Sequence, residues 1–266
     1  MKEDTYEDDS LVQKPGMLEV SHVSFAYPGG EKIYEDFNLS ALPGQIIGVT
    51  GAVACGKSTL GKTFLCEYPY EGRICFHGKE LSGMTKAEQN GMVGYLGHDP
   101  ELFNDSVRNN ILLGDDDDPE KYLKAVCFDG EVAEMEEGMD TIVGNGGVRL
   151  SGGQAQRLAL ARTLCHKRPV LILDDPFSAL DRKTEEEVFA NLRKLAADSI
   201  VILLSHRLYL FPEMDQVLWM EDGKVTAGTH EQILEKFPEY ARLYEAQADG
   251  ADAHSTREGG PDHAGK

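Results

Sequence analysis

The stretch that most limits what this chain can fold into is Gly51-Ala52-Val53-Ala54-Cys55-Gly56-Lys57-Ser58, which fits G-x-x-x-x-G-K-[ST]. An apolar run, Gln45–Val49, precedes it and a helical pattern, Lys57–Leu65, follows. A strand that passes through a glycine-rich turn into a helix aims several backbone N–H groups at one point. Such a loop holds the β- and γ-phosphates of a nucleotide, aided by the helix N-terminus. Lys57 adds a point charge, and the Ser58 hydroxyl can ligate Mg²⁺. Thr59 continues the same turn. An ordinary strand-to-helix turn does not account for the motif in this context. Ala54 stands where many such loops carry glycine, which tightens the loop but leaves Gly51, Gly56 and Lys57 in place. Cys55 lies where phosphate would sit; a small filler is a simpler reading of it than a redox switch.

The rest of the pattern alternates strands and helices. Leu18–Phe25 and Phe37–Leu42 read as short antiparallel strands, and Gly72–Phe76 and Met92–Leu96 as further strands. From Val107 to His166 the pattern is mainly helical. Val170–Leu173 and Ile200–Leu204 are continuous apolar runs flanking a helix over Thr184–Ala197. Such runs suit parallel strands buried on both faces. An α/β core with a helical insertion follows. The acidic segment 1–14 and the polar segment 248–266 cannot bury enough apolar surface to offset ordering, so both are expected to be disordered. Asp115–Asp118, before Pro119, reads as a solvated charge run leading into a helix.

Composition narrows the function classes. Lys and Arg number 26 against 46 Asp and Glu, a net charge of −20, which disfavours nucleic acid and anionic lipid as partners. No apolar stretch approaches the ~18 residues of a spanning helix. The first residues, MKEDTYEDDS, lack the apolar region of a secretory signal. The five cysteines include no C-x-x-C pair and read as reduced thiols of a cytosolic compartment.

Further motifs follow in order: Leu150-Ser151-Gly152-Gly153-Gln154 before a helix, Leu171–Asp175 ending a buried strand, Ser178-Ala179-Leu180-Asp181, and Ser205-His206 after the next strand. With the phosphate loop, these residues resemble the nucleotide-binding domain of ABC transporters over about residues 16–247. The resemblance implies a P-loop NTPase (RecA-like) α/β core, an antiparallel β subdomain and a helical subdomain near 99–166, within a domain spanning 15–247. It implies ATP and Mg²⁺ as cofactors, held by the loop residues 51–59. Asp174 would hold Mg²⁺ through water, Asp175 would orient the attacking water, and His206 would contact the γ-phosphate. Tyr27 would stack on adenine. Residues 151–154, which open a helix and so favour a second anion, would serve the nucleotide of a second such domain packed head to tail, with Asp181 beside them.

Thr141-Ile-Val-Gly144, Gly228-Thr229-His230 and the segment Asp99–Ile111 resemble exporters rather than importers. The P-loop and Asp174–Ser178 resemble the first domain of multidrug-resistance-associated exporters. Asn145 replaces a Glu of the exporter pattern. Exporter domains follow membrane helices, which this sequence lacks, so an excised domain or a separate subunit is expected. It would act at the cytoplasmic face of the membrane through a transmembrane domain. Two departures concern chemistry. The residue after Asp174 is normally Glu and here is Asp175; the position of the family's Gln, which reaches Mg²⁺, holds His98, whose imidazole can ligate the ion or bond water only when neutral. Together they predict a weakened site on this chain's own P-loop, with an intact signature to serve a partner, as in heterodimeric exporters. A regulatory ATP-binding module, an importer ATPase and a soluble ABC protein acting on DNA or ribosomes are the competing readings.

Overall fold

A computed structural model describes residues 16–144 and 146–255. Residues 1–15 (the acidic segment 1–14 among them), Asn145 and residues 256–266 lie outside the described residues.

The strands with the longest apolar runs sit where both faces are covered. Along the chain come β1 (Leu18–Ala26), β2 (Lys32–Ala41), β3 (Ile46–Gly51), α1 (Lys57–Thr63), β4 (Glu71–Phe76), β5 (Lys79–Glu80), α2 (Lys86–Met92) and β6 (Val93–Leu96). The middle of the chain holds β7 (Asp105–Ser106), α3 (Val107–Leu112), α4 (Pro119–Ala125), α5 (Asp129–Ala133), β8 (Ile142–Val143) and α6 (Gly152–Cys165). The last third holds β9 (Val170–Asp174), α7 (Arg182–Leu195), β10 (Ile200–Leu204), β11 (Gln216–Glu221), β12 (Lys224–Gly228), α8 (His230–Lys236) and α9 (Pro238–Ser255).

One sheet runs in the order β5-β4-β1-β2-β12-β11-β3-β10-β9-β6. From β11 to β6 its strands are parallel; β5, β4, β1 and β2 form the antiparallel end. The two halves meet thinly, where β12 pairs with β2 at Lys224 and Glu35. Alternate residues of the parallel strands enter different cores. Leu171, Leu173, Val201 and Leu203 pack with Leu158, Ala161 and Phe189 of α6 and α7. Val170, Ile172, Ile202 and Leu204 pack with Leu60 and Phe64 and with the antiparallel strands. With both faces buried, period-two patterning disappears and the sequence reads as an unbroken apolar run.

Residues 107–166 are less purely helical than their pattern predicts. A 3-10 turn at Gly138–Asp140 and the antiparallel pair β7–β8 interrupt the helices. Fully buried Asn110 fixes this region: its amide donates to the carbonyls of Phe103, Asp105 and Ser106, and its oxygen accepts from the Phe103 N–H. The Asp115–Asp118 run does more than face solvent. Asp118 caps α4 through the Glu120 N–H, while Asp117 bonds Lys121 and the Tyr122 hydroxyl and has its carboxyl lowered to about 2, first by Lys121. The expectation that disorder starts at residue 248 needs correction, because α9 continues to Ser255. Alanines at 246, 248, 251 and 253 supply helix propensity that the Gly and Asp content concealed. All five cysteines are free thiols.

Candidate functional site

In-register parallel pairing brings three strand ends together. Leu204 of β10 pairs with Val49 of β3 on one side and with Asp174 of β9 on the other. Whatever follows these residues emerges at one edge, beyond the C-terminal ends of the strands, where open α/β sheets bind ligands. The glycine-rich loop leaves β3, Asp175 leaves β9, and Ser205-His206 leaves β10. Lys57, Ser58, His98, Asp174, Asp175, Ser205 and His206 line one cleft of about 220 Å³ there.

The loop's two end glycines are required by space and by backbone. A Cβ on Gly51 would lie 2.4 Å from the Met220 carbonyl oxygen, and one on Gly56 would lie 2.4 Å from Ile33 Cγ2. Gly56 sits at φ 104° as the N-cap of α1. Ala54 adopts φ 63°, a left-handed conformation that costs a residue with a Cβ about 1 kcal/mol and explains why glycine suits this place. Buried Lys57 donates through Nζ to the carbonyls of Gly51 and Ala52 at 3.1 and 3.0 Å, and lies 3.8 Å from Cys55 Sγ. Burial pulls its ammonium below the ordinary lysine range. A lysine ammonium set in a glycine-rich loop that opens a helix suits a polyanion.

Across the cleft, Asp175 occupies φ 51°, and its N–H bonds the Leu204 carbonyl at 2.8 Å. Burial raises its carboxyl above the usual range, against the pull of His206 and His98. His98 Nδ1 lies 3.8 Å from Asp175 Oδ2, beyond hydrogen-bond reach. Burial, followed by the nearby Lys57 charge, lowers the His206 imidazole and favours its neutral form. Sequence reasoning missed Tyr95, whose hydroxyl donates to Asp174 Oδ2 at 3.1 Å and so orients that carboxylate.

Among the described residues no three His, Cys, Asp or Glu side chains form a metal cluster. A divalent ion here would need the Ser58 hydroxyl and Asp174 supplemented by phosphate and water, which is how Mg²⁺ binds beside nucleotides. The residues therefore fit Mg²⁺ arriving with a nucleotide rather than a resident metal.

Not every expected residue lies in this cleft. Tyr27 stands at its margin, 38% exposed, with its hydroxyl 3.4 Å from Thr59 Oγ1. Phe25 and Tyr68 pack edge-on against its ring at 5.1 and 5.4 Å. Ser151–Gln154 lies elsewhere and does not line the cleft. Ser151 and Gln154 form a reciprocal capping box at the start of α6. Gln154 also donates to Glu131, which pairs with Arg157 at 2.5 Å, tying α6 to α5. Asp181 is occupied as the N-cap of α7: its carboxylate accepts from the Thr184 N–H and hydroxyl, and these bonds lower its carboxyl.

Comparison with known proteins identifies the arrangement. The family described as ABC transporter matches residues 34–178, more than half of the chain. The chain belongs to the ABC transporter family. As a member it is an ATP-binding, ATPase-type domain. It is 33% identical to ATP-binding cassette sub-family B member 6 of Xenopus tropicalis, over 92% of this chain and 30% of that protein. It is 36% identical to the ATP-dependent lipid A-core flippase of Pseudomonas aeruginosa, over 90% of this chain and 41% of that protein. A solved bacterial Atm1-family ABC exporter with ATP bound superposes with a TM-score of 0.81 at 30% identity, covering 90% of this chain and 43% of that one. The chain thus spans less than half the length of these relatives. No described helix is long and apolar enough to cross a membrane.

Proposed function

We propose that this ABC domain binds Mg²⁺-ATP on residues 51–59 and closes head to tail on a second nucleotide-binding domain, driving export through a transmembrane domain from the cytoplasmic face. The observation that carries this reading is the separation of two anion-binding features. The P-loop, Asp174, Asp175, His98 and His206 share one cleft, while Ser151–Gln154 lies outside it. One copy cannot close both around one γ-phosphate; a pair can. Ser58 and Asp174 would hold the ion, which supplies charge neutralisation at the phosphates. Lys57 binds phosphate, and neutral His206 can accept a hydrogen bond or donate one from its ring nitrogens.

Asp175 and His98 favour an asymmetric pair, in which this chain's own P-loop turns over slowly and its signature completes a partner's faster site. The same two residues favour a second reading: nucleotide holds the pair together and little is hydrolysed here. Sedimentation with excess Mg²⁺-ATP is expected to reveal a dimer that disappears with Ser151→Arg. A chain that stays monomeric with ATP, both alone and with its exporter's other ATPase domain, overturns the head-to-tail reading.

Adenine recognition is testable at Tyr27. Removing an aromatic stack costs about 1 kcal/mol. Tyr27→Ala is therefore expected to weaken ATP severalfold while leaving tripolyphosphate affinity unchanged, as read by calorimetric titration. Equal losses for both ligands would assign Tyr27 to packing alone.

A further inference from the structure

Glu185, in the first turn of α7, is fully buried, an unusual place for a carboxylate. Its Oε2 accepts from both the Arg207 guanidinium and the Tyr209 hydroxyl, while Oε1 has no partner among the described residues. Burial raises the Glu185 carboxyl, and the bonds from Tyr209 and Arg207 oppose that rise. Arg207 does more than pair with Glu185. Its Nη1 donates to the Leu180 carbonyl and its Nη2 to the Ser178 carbonyl, each at 2.8 Å. One planar side chain thus fastens the loop from Asp175 to Asp181 onto the residue that follows His206.

The backbone on the other side is held as well. Gln247 of α9 accepts from the Leu208 N–H at 2.7 Å and donates to the His206 carbonyl at 2.8 Å. The Arg207 N–H bonds Ser205 Oγ at 3.0 Å. The backbone on both sides of His206 is therefore anchored, and His206 itself lines the cleft.

We propose that Arg207 and Glu185 are positioning residues for ATP hydrolysis, locking the His206 loop to the Ser178–Asp181 loop so that the two move as one body. An ion pair whose carboxylate is buried and whose guanidinium is half-buried contributes little to stability over an apolar pair of similar volume, because desolvation offsets the attraction. What an apolar pair cannot supply is the set of N–H donors that seize two carbonyls of the neighbouring loop. The guanidinium fork serves three acceptors in fixed directions; a lysine ammonium is a point charge on a flexible stem and cannot hold the same plane. The lock reaches both sides of the phosphate end: Asp175 begins one loop, His206 begins the other, and Asp181 closes the first onto α7.

The proposal rests on the ATPase activity of the family, so its test carries a readout independent of turnover. In the full chain, Arg207→Lys is expected to lower kcat at least about tenfold with KM for ATP held within about threefold, the pattern of a misplaced group rather than of lost binding. Hydrogen exchange at residues 178–181 and 205–208 is expected to rise together. The double variant Glu185→Leu with Arg207→Met is expected to fold with a moderately lowered unfolding midpoint and without recovering the rate. Rate and midpoint recovering together would make the pair purely structural and overturn the proposal. So would an unchanged rate in Arg207→Lys, or exchange that rises in one loop only. If the double variant fails to fold, Arg207→Lys decides alone. A wild type without turnover would count against the hydrolysis reading, and the paired exchange would still decide whether the lock exists.

Discussion

Lys57→Met is expected to lower ATP affinity about a hundredfold while leaving the domain folded. A charge-assisted hydrogen bond contributes about 1.5–3 kcal/mol, and each 1.4 kcal/mol is tenfold in affinity. Among the described residues lining the cleft there is no second lysine or arginine, so no neighbouring permanent cation replaces Lys57. Its stem is buried, and methionine keeps that packing where alanine would not. The fold depends less on the charge: Nζ bonds the carbonyls of Gly51 and Ala52 and, at 3.8 Å, Cys55 Sγ, all in the loop that opens to the cleft. Burial already disfavours the ammonium, so its removal relieves a desolvation cost. Fluorescent-nucleotide titration with a parallel thermal scan checks both halves. Wild-type affinity in a folded Lys57→Met protein would remove the phosphate loop from the reading.

Much of this site was legible because its chemistry is local in the sequence. The loop from Gly51 to Ser58 is contiguous, and the apolar runs of β9 and β10 announce strands buried on both faces. Their in-register pairing then gathers Asp174, Asp175 and His206 at one edge without further instruction. Residues acting across distance in sequence were not legible. Tyr95 reaches Asp174 over a separation of 79 positions, and nothing around it marks a hydrogen-bond donor. Glu185 sits in the run Glu185-Glu186-Glu187, which reads as a solvated helix face, yet it is the fully buried member. Arg207 completes that pair from 22 positions away. The end of α9 was obscured for another reason. Its Gly and Asp content resembles a tail, while alanine propensity and the Gln247 bonds to the His206 loop favour helix.

Asp175→Glu is expected to raise turnover severalfold without tightening ATP binding. Asp holds its carboxylate one methylene short of Glu, about 1.5 Å in reach. A misplacement of about 1 Å in a positioned group can cost about a hundredfold in rate. On the proposed reading the loss falls on orienting the attacking water, since Lys57, Ser58 and Asp174 would hold phosphate and ion. His98 does not make good the difference, because its Nδ1 stands 3.8 Å from Asp175 Oδ2, with no direct hydrogen bond to steady the shorter side chain. Glutamate also brings a cost. Position 175 is left-handed at φ 51°, a region Asp visits more readily than Glu, so a somewhat lower unfolding midpoint should accompany the faster rate. Faster and less stable is a combination that improved packing would not produce. Adding His98→Gln to Asp175→Glu is expected to exceed either single change, because both positions then carry the residue types of the family pattern. Single-turnover phosphate release at saturating Mg²⁺-ATP measures the step directly. Brisk hydrolysis by the wild type, with a flat or reduced rate in Asp175→Glu, would make Asp175 a competent base in its own geometry and end the case for a weakened site.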